Sequence, residues 1–252
     1  MIYDLKAKEN DIWIFPSQDL ISCIFIGKKI VAVHDLMHLH TSFEESSSFL
    51  KKVYREFRYK KIAKNADKII VDSNYGKFQF LEHYKTNPKK IHVLPFFIKK
   101  IKVKEKITIK KFLIYPAKFW KHKNHIKLIA AINNLVKFEG IKDFFILFTS
   151  KKDLEYKNIH NYVVKNNLQK NVKFTGYIST KQLAVLYSSA RALVMPTFFG
   201  PTNIPPIEAF NYSCPVLISD IFASREQCKN SALYFNPNEI NQIANKIKDI
   251  WL

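Results

Sequence analysis

Short apolar runs alternate along the chain with longer stretches in which apolar side chains recur every three or four positions. Residues 11–16 (DIWIFP), 30–33 (IVAV), 68–71 (KIIV) and 90–94 (KIHVL) have the length and β-branched or aromatic content of strands, the first two expected to be buried. The same rhythm resumes at 112–115 (FLIY), 144–148 (FFILF), 172–175 (VKFT), 192–195 (ALVM), 215–218 (PVLI) and 232–235 (ALYF). Between these runs, residues 46–65 predict an amphipathic helix with Phe49, Val53, Tyr54, Phe57 and Ile62 on its apolar side. Residues 124–138 predict another, with Ile126, Ile129, Leu135 and Val136 inward, and residues 180–189 a third, with Leu183, Val185 and Leu186 inward. Further helices are expected after an N-cap at Asp72-Ser73-Asn74, over 152–167, from near Ile204 and over 238–252. Strand–loop–helix–strand units in this order predict an α/β fold with parallel sheets.

The rhythm breaks once. Residues 96–111 hold seven lysines without a period, which places a linker there between an N-terminal lobe at 1–95 and a C-terminal lobe at 112–252. Lysine and arginine number 41 against 21 acidic residues, a net charge of +20 that favours anionic partners. The lysines are spread along the chain, which argues for a solvated surface and against a base-reading nucleic-acid face. Such a surface suits peripheral contact with an anionic membrane, at about 1 kcal/mol for each basic residue near the leaflet. Three isolated cysteines, Cys23, Cys214 and Cys228, form neither a disulfide framework nor a zinc ribbon and fit a reducing cytoplasm. No run approaches the ~20 apolar residues of a membrane span.

Chemistry concentrates in two loops. Lys118-Phe119-Trp120-Lys121-His122-Lys123 lies between a strand and a helix, where cations and helix N–H groups suit a diphosphate. The stretch MPTFFGPTNIPPIEAF at 195–210 joins a strand to a helix whose first turn accepts Pro205 and Pro206. There Glu208 is either a surface carboxylate near the positive end of the helix dipole or a group aimed at sugar hydroxyls. His34, His38 and His40 follow the second strand, but no carboxylate or thiolate spacing accompanies them, and no metal is expected.

Residues 196–215, together with YPAKFWKHKNH at 115–125, resemble the C-terminal lobe of the group 1 (family 4) glycosyltransferases, retaining enzymes of the GT-B fold. The family signature is a Glu, seven residues, and a second Glu ahead of a Cys/Gly-Pro-Val strand. Glu208 matches the second Glu, whereas the first falls on Gly200 within Gly200-Pro201-Thr202-Asn203. DIWIFPSQD and VAVHDLMH resemble later strands of the N-terminal lobe, and VKFTGYIS another C-terminal strand. The resemblance implies two Rossmann-like parallel-sheet lobes, the first incomplete because the family's opening strand and Gly-rich loop have no counterpart. It implies transfer of a sugar from a nucleotide-sugar to a glycan or lipid-linked acceptor, with retention and without a cofactor, in cell-surface polysaccharide synthesis. Lys118 and Lys123 would hold the donor diphosphate, Glu208 the ribose hydroxyls, and Thr202, Asn203 and Ile204 the sugar. His34 would face the substrate. Lys118, Lys123 and Glu208 are thus expected around one cleft. The alternative implied by the missing segments is a non-catalytic protein that binds a nucleotide-sugar.

Overall fold

The computed structural model describes residues 11–25, 27–39, 49–103 and 112–252, which divide into a unit ending at Phe96 and a unit beginning at Phe97. In the first unit, β1 (Ile12–Phe15), β2 (Lys28–Val33), α1 (Phe49–Asn65), β3 (Lys68–Val71), α2 (Asn74–His83) and β4 (Ile91–Val93) follow one another. Their strands form a parallel sheet in the order β1-β2-β3-β4, with Ile14 opposite Ile30, Val31 opposite Ile69 and Ile70 opposite His92. Val31, Val33, Ile69, Val71, Tyr59, Ile62 and Phe80 form its core. Ser73 caps α2 by accepting from the Gly76 N–H at 3.0 Å.

Two expectations fail in this unit. Among the described residues β1 lies at the edge of the sheet, and Ile12 and Ile14 are 62% and 69% exposed, so the expected burial of this strand is not met. In α1, Phe49, Val53, Tyr54 and Phe57 all lie in solvent, while Tyr59, Ile62 and Ala63 face the core. Periodicity marked which residues share a side of the helix, but among the described residues only Tyr59, Ile62 and Ala63, in its later turns, join the core. The expected start of this helix at 46–48, His40, and residues 104–111 of the expected linker lie outside the described residues.

The second unit runs β5 (Phe112–Tyr115), α3 (His125–Lys137), β6 (Phe145–Phe148), α4 (Tyr156–Lys165), β7 (Val172–Phe174), α5 (Thr180–Ser189), β8 (Ala192–Met195), α6 (Ile204–Asn211), β9 (Val216–Ser219), α7 (Phe222–Cys228), β10 (Leu233–Phe235) and α8 (Ile240–Trp251). Among the described residues its strand pairs are all parallel, in the order β10-β9-β8-β5-β6-β7. The chain lays down β5, β6 and β7 in one direction, then returns to the other side of β5 to lay down β8, β9 and β10. The order therefore reverses between β5 and β8, which makes that crevice the switch point of a doubly wound sheet.

β5, β8 and β9 are buried at every residue, as a parallel sheet covered on both faces requires. Leu113, Ile114, Leu193 and Leu217 are fully buried, each stabilising the fold by roughly 2 kcal/mol. A capping box closes the start of α5, with Ser179 and Gln182 bonding each other's backbone. Ala184 and Tyr187 are that helix's most buried core residues, Leu183 and Leu186 pack partly against the core, and Val185 is only half-buried. In α3, Ile126 faces solvent, and His125 takes a core position beside Leu128 and Ile129. Among the described residues no helix is long and apolar enough to cross a membrane.

Candidate active site

Two loops flank the switch point, residues 116–124 after β5 and 196–203 after β8. The first is anchored by Phe119, which is fully buried against His125, Phe148, Tyr156 and Phe174, with its N–H donating to Asp153 Oδ1 at 3.0 Å. Burial of Phe119 leaves Lys118 exposed, with its ammonium 4.5 Å from the Trp120 ring centroid, a cation–π distance. A 3-10 turn over Lys121–Lys123 follows, and Tyr115 donates its hydroxyl to the Lys123 carbonyl at 2.8 Å.

Asn124 ends the turn in the left-handed region, with φ 58°, where Asn is among the few tolerated residues. Its buried amide donates to the carbonyls of Pro196 and Pro237, both at 2.9 Å. The loop after β5 is thereby tied to the loops after β8 and β10. The His122 carbonyl reinforces this tie, accepting from the Phe198 N–H at 2.8 Å and lying 3.1 Å from Thr197 Oγ1.

This bracing sends the Lys123 side chain to Asn203, with Nζ 3.4 Å from Oδ1. The sequence places these residues 80 positions apart, and the switch point joins them. Asn203 is 5% exposed and its Nδ2 has no hydrogen-bond partner. Gly200 makes room for it. A Cβ at position 200 would stand 2.7 Å from Asn203 Nδ2 and 2.8 Å from Oδ1, and its φ of +150° is one that L-residues avoid. The Gly at the place of the family's first Glu therefore accompanies an amide packed where that side chain would begin.

Burial, with the Lys123 charge nearby, pushes the His122 and His125 rings down to about 3, so both are neutral at physiological pH. An amide carries no charge either. Lys123 is thus oriented by Asn203 without being neutralised by it, which suits an anionic ligand.

Glu208, in the second turn of α6, points elsewhere. Its Oε2 accepts from the Tyr187 hydroxyl at 3.1 Å, and burial raises its carboxyl above the usual range against the lowering effect of that bond. It lines a crevice of about 20 Å³ with Ile98, Ile101, Tyr187 and Tyr212, room for little more than a water molecule. Neither Lys118 nor Lys123 lines that crevice, so the structure brings Lys123 and Asn203 together without adding Glu208 to them there. Thr202 is half-buried beside Asn203, and Ile204 is 43% exposed at the first position of α6.

His34 belongs to the other unit, at the carboxyl end of β2. Its Nε2 lies 2.8 Å from the Pro16 carbonyl, which can only accept, so Nε2 is the donor of that bond. The ring stacks on Phe96 at 5.7 Å. His38 is buried against Tyr84 and Glu56, and burial lowers its pKa. Among the described residues no three His, Cys, Asp or Glu side chains are grouped as a metal site.

Three residues escaped the sequence reading. Asn124 carried a signal, an Asn immediately before a helix and therefore able to adopt the left-handed region. Tyr187 and Gln227 carried none. Gln227, 24 residues beyond Asn203, accepts from the Asn203 N–H at 3.2 Å and donates to its carbonyl at 2.6 Å.

Residues 97–251 match the family described as "Glycosyl transferases group 1". The O-antigen chain mannosyltransferase RfbU of Salmonella typhimurium is 29% identical over 227 residues, which cover 89% of this chain and 61% of RfbU. The chain thus spans about three-fifths of the length of that relative. Among solved structures, Anabaena HepE in complex with UDP and glucose superposes with a TM-score of 0.78 at 14% identity, covering 95% of this chain and 68% of HepE. Sucrose-phosphate synthase from Thermosynechococcus elongatus gives 0.73 at 22% identity, covering 90% and 59%. Both likenesses concern the fold, an α/β arrangement of parallel sheets of the GT-B kind.

Proposed function

The chain belongs to the group 1 glycosyl transferases, and from that premise we propose that it transfers a sugar from a nucleotide-sugar to a glycan or lipid-linked acceptor, with retention at the anomeric carbon. The observation that carries this reading is the Lys123–Asn203 pair at the reversal of strand order, where doubly wound sheets take their ligands. The bond between the anomeric carbon and the diphosphate breaks, the acceptor hydroxyl oxygen bonds to that carbon, and nucleoside diphosphate and a proton are the other products. Negative charge grows on the leaving diphosphate. Lys123, preset by Asn203, and Lys118, on Trp120, stabilise it electrostatically, a role that needs positioned charge and no proton transfer.

Thr202, Asn203 and the start of α6 at Ile204 orient the donor sugar. Glu208, turned to Tyr187 at a crevice with room for little more than a water molecule, meets the ribose hydroxyls only if that crevice opens when the donor binds. His34, in the other unit, is taken as a substrate contact. Likeness to an O-antigen mannosyltransferase supports assignment to cell-surface polysaccharide synthesis, with mannose as the first donor sugar to test. The net charge of +20 suits work at the cytosolic surface of an anionic membrane, where a lipid-linked acceptor would be met.

The test is a transfer assay with a panel of nucleotide-sugars and polysaccharide-precursor acceptors, comparing the parent with Lys123→Ala. Donor-dependent transfer that Lys123→Ala reduces by roughly a hundredfold or more supports the reading, since removing one donor to a developing oxyanion has that effect. Nucleotide binding without transfer to any acceptor would replace it with a binding function.

A further inference from the structure

The N-cap residue of α6 does not cap. An Asn at this position ordinarily accepts from the N–H two or three residues on. The N-caps of α2 and α5 do so here, Ser73 taking the Gly76 N–H and Ser179 the Gln182 N–H, each three residues on. The corresponding positions in α6 are Pro205 and Pro206, which have no N–H. Asn203 accordingly makes no side-chain cap bond, and its Oδ1 is left for Lys123. Its backbone is held instead from α7, by the two bonds to the Gln227 amide at 3.2 and 2.6 Å.

We propose that Gln227 is a positioning residue of the donor site: with Pro205 and Pro206 withholding the usual capping partners, it fixes the Asn203 backbone so that the Asn203 amide aims Lys123 at the donor diphosphate. The proposal rests on the reading of Lys123 as a diphosphate contact. It assigns Gln227 no contact with substrate, and its effect passes entirely through Asn203 and Lys123. Pro206 acts by omission, because any other residue there would offer Asn203 Oδ1 a competing N–H.

The experiment is isothermal titration of the full chain with UDP and with GDP, using the parent, Lys123→Ala, Gln227→Met, Pro206→Ala and the Lys123→Ala/Gln227→Met double variant, with thermal melting run beside each. Lys123→Ala should weaken binding by roughly tenfold or more, the scale of one hydrogen bond to a charged group. Gln227→Met should weaken it by roughly three- to tenfold, and should add nothing once Lys123 is gone, as expected of residues acting in series. Pro206→Ala should weaken binding while the protein melts as a folded chain, and it reads the proposal even if Gln227→Met fails to fold. Parent-like affinity in Gln227→Met or in Pro206→Ala would overturn the proposal, as would independent losses that multiply in the double variant. Parent-like affinity in Lys123→Ala would instead overturn the donor-site reading, and the proposal with it.

Discussion

Replacing Gly200 by Ala tests the loop after β8 at its tightest point. Two costs arise. The backbone φ of +150° is open to Gly and strained for Ala, at about 1–3 kcal/mol. The new Cβ also meets the Asn203 amide at 2.7–2.8 Å, a separation that side chains do not sustain. Asn203 cannot retreat as a whole, because Gln227 grips its N–H and its carbonyl. The amide must therefore rotate about its own side-chain bonds, which breaks the 3.4 Å contact with Lys123. Stability should fall by the backbone term, a drop in melting temperature of roughly 3–10 °C for a unit of this size. Nucleoside diphosphate affinity should fall by roughly tenfold as Lys123 loses its guide. Gly140→Ala is the control: its φ is +71° and nothing lies within 4 Å of the added carbon, so it should lose stability without losing affinity. Thermal denaturation and isothermal titration measure the two terms separately. A Gly200→Ala protein that melts with the parent and binds nucleotide with parent affinity would refute the reasoning.

Two further predictions come from the loop after β5. The His122 and His125 rings titrate near 3 in the fold against 6.5 in the unfolded chain, so their contribution to stability is complete above about pH 6.5 and declines as pH falls toward 3. Each ring can remove about 1.4 kcal/mol per pH unit in that window, or up to about 4 kcal/mol for the pair between pH 7 and 5. Urea denaturation at the two pH values checks this, and equal midpoints would contradict it. Asn124→Ala loses two buried hydrogen bonds and puts Ala at φ 58°, a destabilisation of about 2–4 kcal/mol, whereas Asn124→Gly keeps the backbone and should cost about 1 kcal/mol less. Equal stability of the two variants would show that the left-handed turn is not what Asn124 supplies.

The strands of the second unit were legible because both faces of a parallel sheet are covered, so β5, β8 and β9 read as unbroken apolar runs. The caps at Ser73 and Ser179 are local events, between residues three apart, and Ser73 stood out for that reason. Whether a helix face has anything to pack against is not local. The stripe of α1 and the position of Ile126 were therefore misjudged, and His125 was missed in a core place that hydrophobicity alone would not assign it. In the candidate site, the lysine loop and the loop at Gly200–Asn203 could be named from residue type and family resemblance. Their junction through Lys123 and Asn203, and the grip of Gln227 on Asn203, are contacts across 80 and 24 residues that leave no periodic trace. The turn of Glu208 toward Tyr187 has the same origin, a partner on another helix 21 residues away.

The central claim is that the crevice between β5 and β8 takes the donor diphosphate on Lys123. A crystal structure of the chain soaked with a nucleoside diphosphate tests it directly. The account predicts phosphate oxygens within hydrogen-bond distance of Lys123 Nζ, beside the loop at residues 200–203. Phosphates ordered at another surface, with Lys123 still turned to Asn203 and no ligand density beside it, would contradict it.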